Sequence, residues 1–152
     1  MRRLVLLVLS VLLTALVFSM SLSVGTASAA LSSPVTAVVE RILSALFPRY
    51  AIPFDALHAI VRKLAHMAEY AALGILYLFT ARAWNRRAWP VFAAGVLVAI
   101  IDEGIQAFVP GRGPSIVDAL LFDFPGFALG AAAAILAGRW RGRCDTVSKD
   151  VS

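Results

Sequence analysis

Apolar positions fall into four long stretches, at residues 4–23, 64–81, 91–109 and 119–137. Each approaches the ~20 residues a helix needs to cross about 30 Å of hydrocarbon. Between the first and second the pattern changes. Ser33-Pro34 reads as an N-cap followed by the proline favoured at a first helical position. Val35, Val38, Val39, Ile42, Leu43, Leu46 and Phe47 then recur at helical spacing, with Glu40, Arg41 and Ser44 elsewhere on the wheel. Pro48 and Pro53 interrupt the chain beyond them. A short amphipathic helix on the outer leaflet fits this pattern, and so does a lid packed on the bundle. The expected architecture is all-α: a small polytopic bundle of four membrane helices plus one short outer amphipathic helix. Its segments are a first membrane helix (1–24), an outer segment (25–62), a three-helix core (63–138) and a cytoplasmic tail (139–152).

Composition supports a membrane protein. Hydrophobic residues make up 61% of the 152 positions and charged residues 15%, against roughly 45–50% and ~25% in soluble domains. Mean hydropathy is +0.85, too apolar for a water-soluble globule. Cys144, the single cysteine, excludes an intrachain disulfide and a multi-cysteine metal site. The net charge of +5 comes from basic residues flanking apolar runs, which points to lipid headgroups as partners and not to nucleic acid. Arg2-Arg3, an apolar run and Ala27-Ser28-Ala29-Ala30 also match a signal peptide, although the run exceeds the usual 7–15 residues. Nine of the 14 Lys and Arg side chains fall inside if both termini are cytoplasmic: Arg2, Arg3, Arg82, Arg86, Arg87, Arg139, Arg141, Arg143 and Lys149. Trp84, Trp89 and Trp140 fall at the same interface.

Ionisable residues inside membrane segments are costly, and their placement is informative. On the second stretch Lys63, His66 and Tyr70 share about 60° of arc, with Glu69 flanking. The third ends with Asp102, Glu103 and Gln106, the first and last sharing a face at i, i+4. A short loop carries Arg112 and Ser115, Asp118 opens the fourth stretch, and Asp123 lies within it. All sit at the outer ends of their helices, Glu69, Asp102 and Asp123 some ~7–10 Å deep at ~1.5 Å per residue. They are therefore expected to meet in one layer with an excess of carboxylates. Such groups must share protons, reach water or hold a cation. Polar glue between helices is the structural alternative. Gly126, Gly130, Ala134 and Gly138 form a small-residue stripe for close helix approach. Pro125 removes an N–H beside Asp123 and predicts a kink with a freed carbonyl.

These residues resemble the VanZ-like family of bacterial integral membrane proteins. The resemblance rests on Lys63-Leu64-Ala65-His66-Met67-Ala68-Glu69-Tyr70 with the following Ala71-Ala72-Leu73-Gly74, on Asp102-Glu103-Gly104-Ile105-Gln106, on Arg112 through Ser115 to Asp118, and on Asp123 with Gly126. It departs at Ile105, where the family often has His, and at Pro114, where it often has a small residue. The resemblance implies a cell-envelope protein of the bacterial cytoplasmic membrane. Its name-giving member is associated with low-level teicoplanin resistance.

Two functions are expected on this basis. In the first, an outer-leaflet site binds a lipid-linked precursor or glycopeptide. Lys63 and Arg112 would grip an anionic group, and Tyr70, Glu103, Gln106, Ser115, Asp118 and Asp123 would complete the site. In the second, a membrane enzyme acts on a lipid-linked or envelope substrate, with His66 as base tuned by Glu69 or Asp102. No cofactor is expected. A divalent cation on His66, Glu69, Asp102 and Asp118 is a variant of the second reading, without a recognised ligand motif. A transport pathway would need a polar trail that the inner halves of the helices lack.

Overall fold

The structure, a computed structural model, describes residues 1–22, 25–49, 52–110 and 115–150, with side chains in these ranges except at 25–31 and 140–150. The described residues form helices joined by turns, with no strand. The elements are α1 (Arg2–Ser21), α2 (Gly25–Leu46), α3 (Phe54–Ala83), α4 (Trp89–Gln106), α5 (Ile116–Asp118), a π-helical turn (Ala119–Asp123) and α6 (Phe124–Asp150). Four helical stretches are long and apolar enough to cross a membrane: α1, α3, α4 and residues 116–139 of the last helix. Large apolar side chains cover the outside, among them Leu12, Leu97, Ile100, Leu121 and Leu129. That surface suits lipid and not water.

α1 is apolar all round and buries a narrow stripe that includes Ser10, Val17 and Ser21. The Ser10 and Thr80 hydroxyls lie 2.9 Å apart, and Thr14 Oγ1 lies 2.9 Å from the Tyr77 hydroxyl. Where lipid removes any hydrophobic drive between helices, such bonds and close packing hold them together. α3 ends at a left-handed Asn85 (φ 53°). There the Asn85 N–H donates to the Arg82 carbonyl and the Arg86 N–H to the Ala81 carbonyl, at 3.0 and 2.8 Å. This paired arrangement satisfies the last carbonyls of the helix. α4 then starts with Pro90 in its first turn, where the missing N–H has no intrahelical partner to lose.

The main helix–helix contact joins α3 to α6. A Cβ on Gly130 would stand 2.0 Å from the Ala71 carbonyl oxygen, one on Gly126 2.5 Å from that of Met67, and one on Gly74 2.0 Å from that of Phe127. The backbones touch, as the small-residue stripe implies. Phe127, fully buried, lays its ring on Gly95 of α4 and meets Tyr77 edge-on at 5.5 Å.

Several element boundaries differ from the sequence expectation. α2 is not a short helix capped at Ser33-Pro34; it begins at Gly25 and carries Pro34 inside it. The alanine-rich stretch before the proline favours helix, and the Thr36 hydroxyl donates to the Ser32 carbonyl at 2.9 Å, adding a bond beside the lost N–H. α2 packs on α3 through a polar face: Thr36 is fully buried and Ser32 Oγ lies 2.7 Å from His58 Nε2. Its apolar residues Val35, Val38, Ile42 and Leu46 face outward. The second membrane helix starts at Phe54, well before Arg62-Lys63, because nothing between Pro53 and Lys63 breaks it. The third stops at Gln106, where Val109 is still buried in the following turn. Pro125 produces a widened π-helical turn ahead of it, since the ring cannot bond to residue 121 and crowds its carbonyl. Trp84 and Trp89 are both exposed at one end of the bundle, and the Trp140 side chain lies outside the described residues.

Substituting Gly126 or Gly130 with alanine should separate α3 from α6 and lower stability by about 1–3 kcal/mol each. A Cβ at Gly104 meets nothing within 4 Å, so Gly104→Ala should leave stability unchanged or raised. Thermal unfolding in one detergent checks the contrast.

Candidate functional site

Because α3 and α6 touch at Met67 and Gly126, the side chains flanking those positions are forced together. His66 Nδ1 lies 3.9 Å from Asp123 Oδ1 and 4.0 Å from Glu69 Oε2. Its ring stacks on Tyr70, one turn deeper, with centroids 6.4 Å apart. Tyr70 is wholly buried, and its hydroxyl faces Asp102, with Asp123 and Glu103 the next acidic groups around it. Accessibility rises along this face of α3: Tyr70 is sealed, His66 is 21% exposed and Lys63 38%. This polar cluster, the chamber, thus has its sealed end, the floor, at Tyr70 and its accessible end, the mouth, near Lys63.

α4 supplies the second wall. Asp102, Glu103 and Gln106 are all buried. Gln106 Nε2 donates to Asp102 Oδ2 at 3.2 Å, as the i, i+4 spacing predicts. The Tyr70 hydroxyl turns to the same Asp102 carboxylate, so both ends of this buried pair are engaged with each other. Glu103 holds the backbone that follows α4, its Oε2 accepting the Ser115 N–H at 2.6 Å. Ser115 in turn caps α5, its Oγ accepting from the Asp118 N–H at 3.2 Å.

The last helix closes the mouth. Lys63 Nζ donates to Asp118 Oδ1 at 2.8 Å and lies 4.4 Å from the centre of the Phe122 ring. Lys63 is thus already engaged by an anion and an aromatic face. Phe122 is not among the residues that sequence reasoning singles out, although its place beside Asp123 and one turn after Asp118 is visible there.

The structure therefore brings together Lys63, His66, Glu69, Tyr70, Asp102, Glu103, Gln106, Ser115, Asp118 and Asp123, from three helical segments distant in sequence. Arg112 lies outside the described residues, as does Pro114. Five carboxylates face one lysine and one histidine among the described members. Hydrogen bonds to Gln106 N–H and the Ser115 backbone, with the Lys63 ion pair, relieve part of that excess. Among the described residues, no group of three or more His, Cys, Asp or Glu is arranged to hold a metal ion. Such a chamber can accept hydrogen bonds from N–H and O–H donors and can move a proton at His66.

The family model described as VanZ/LLP1 matches residues 6–138, most of the chain and all of the chamber. No curated protein and no solved structure matches.

Ser115→Ala removes the cap of α5 and should cost about 0.5–2 kcal/mol. Glu103→Ala strands the Ser115 N–H and should cost about 1–3 kcal/mol. Both act on one turn, so the double variant should lose less than the sum of the two. Thermal unfolding of the four proteins measures the coupling.

Proposed function

The chain belongs to the VanZ/LLP1 family, and on that premise we propose that it is a bacterial cell-envelope protein whose chamber binds a lipid-linked cell-wall precursor or a glycopeptide such as teicoplanin. It crosses the cytoplasmic membrane several times with both termini in the cytoplasm, which puts the mouth of the chamber at the outer leaflet. One observation carries this reading. Asp102, Glu103 and Asp123 are buried together, and among the described residues one lysine and one histidine stand against the five carboxylates of the cluster. Carboxylates crowded in low dielectric are costly, a cost that a guest donating amine or hydroxyl protons to them lowers. Lys63 is held by Asp118, which leaves Arg112, six residues before Asp118 in the sequence, as the candidate for an anionic group of the guest.

A second reading has its own observation: His66 stands between the carboxylates of Asp123 and Glu69. Carboxylates beside an imidazole orient it and stabilise the imidazolium that forms when it takes a proton, the arrangement of a general base. On this reading the guest is a substrate of a lipid-linked or envelope type.

Purified protein should bind teicoplanin or a lipid-linked precursor, and Asp102→Asn should weaken binding by about 10–100-fold with folding retained. Arg112→Ala should weaken binding of the anionic precursor. Absence of binding by the native chain to either compound would overturn the proposal. If the site is catalytic, the precursor is consumed by the native chain and not by His66→Ala; no turnover of any envelope lipid excludes that reading.

A further inference from the structure

The end of the bundle remote from the chamber carries a second hollow. Between α1, α3 and α4 lies a groove of about 450 Å³, within the ~300–1,000 Å³ typical of ligand sites. Leu7, Val11, Ala81 and Ala94 are among its apolar walls, and Trp84, Arg86 and Arg87 line it at the α3–α4 turn. Its polar wall groups are satisfied already: Ser10 and Thr80 bond to each other, and the Tyr77 hydroxyl bonds to Thr14. A guest in this part of the groove therefore needs no polar atoms.

Among the described side chains the charge at this end has one sign. Arg2, Arg3, Arg82, Arg86, Arg87 and Arg139 gather there, and the described side chains near them include no carboxylate. The acidic positions closest in α3 and α4 are Glu69 and Asp102, each ~20 Å along its helix at ~1.5 Å per residue. Arg82 is committed to the Ala134 carbonyl at 3.2 Å. Arg86 and Arg87 are exposed and make no ion pair among the described residues. The backbone that carries them is anchored, because the Arg86 N–H closes the end of α3 on Ala81. An apolar slot ending in two exposed, uncommitted guanidiniums is complementary to an amphiphile with a hydrocarbon tail and an anionic head. A second copy of the chain would instead bring like charges together.

We propose that this groove is a binding site for an anionic phospholipid, one acyl chain lying between α1, α3 and α4 and the phosphate held by Arg86 and Arg87. The test uses the full chain in detergent, with phosphatidylglycerol and phosphatidylcholine of identical acyl chains as probes and native mass spectrometry as readout. One phosphatidylglycerol per chain should be retained, on the order of tenfold more tightly than phosphatidylcholine. The double variant Arg86→Ala/Arg87→Ala, changed only at exposed side chains, should lose that preference. Ala94→Phe, which fills the groove wall, should displace both lipids while leaving the arginines in place. Equal retention of the two lipids, an unchanged preference in the double variant, or a dimer that competes with lipid for the groove would each overturn the proposal.

Discussion

The contact on which the molecule depends is the meeting of two backbones. At Gly74, Gly126 and Gly130 the α3 and α6 chains approach so closely that a single added carbon would stand within about 2–2.5 Å of a carbonyl oxygen. In lipid, helices gain nothing by hiding apolar surface from one another, and association rests on van der Waals contact over a close interface. The same closeness has a chemical result. Met67 and Gly126 touch, their sequence neighbours His66 and Asp123 have nowhere else to go, and an imidazole and a carboxylate end 3.9 Å apart. Packing and chemistry are one arrangement seen at adjacent residues.

Around that contact the polar residues divide their labour. Glu103, Ser115 and Asp118 tie the α4–α5 connection together through a backbone N–H, a cap and an ion pair. Tyr70 and Asp102 lie deeper, fully buried and facing each other. The rim of the chamber is therefore held by internal bonds.

Much of this was legible in the sequence because membrane physics makes polar positions conspicuous. The four spans follow from length and hydropathy. The meeting of Lys63, His66, Asp102 and Asp118 follows from charges confined to one end of each span. Helix phase alone placed Gln106 on Asp102. The extent of α2 was not legible, since Ser33-Pro34 is equally good at a helix start and inside a helix whose neighbours repair the lost bond. Nor was its orientation: amphipathicity identifies an apolar face but not its direction, and here Ser32 and Thr36 face the bundle while the valines face out. The engagement of Lys63 by Asp118 and Phe122 depends on how the last helix is wound, which local composition does not specify.

That winding has a further consequence. The wide turn at Ala119–Asp123 takes up an extra residue, which resets the rotational phase of the helix by about 100° between its two sides. Downstream, the glycines must keep facing α3; upstream, Asp118 must keep facing Lys63. A uniform coil would lock these demands to each other, so that any drift in one face would drag the other out of line. The slack turn works like a vernier between them, setting the anchoring face and the entrance of the chamber independently within one helix.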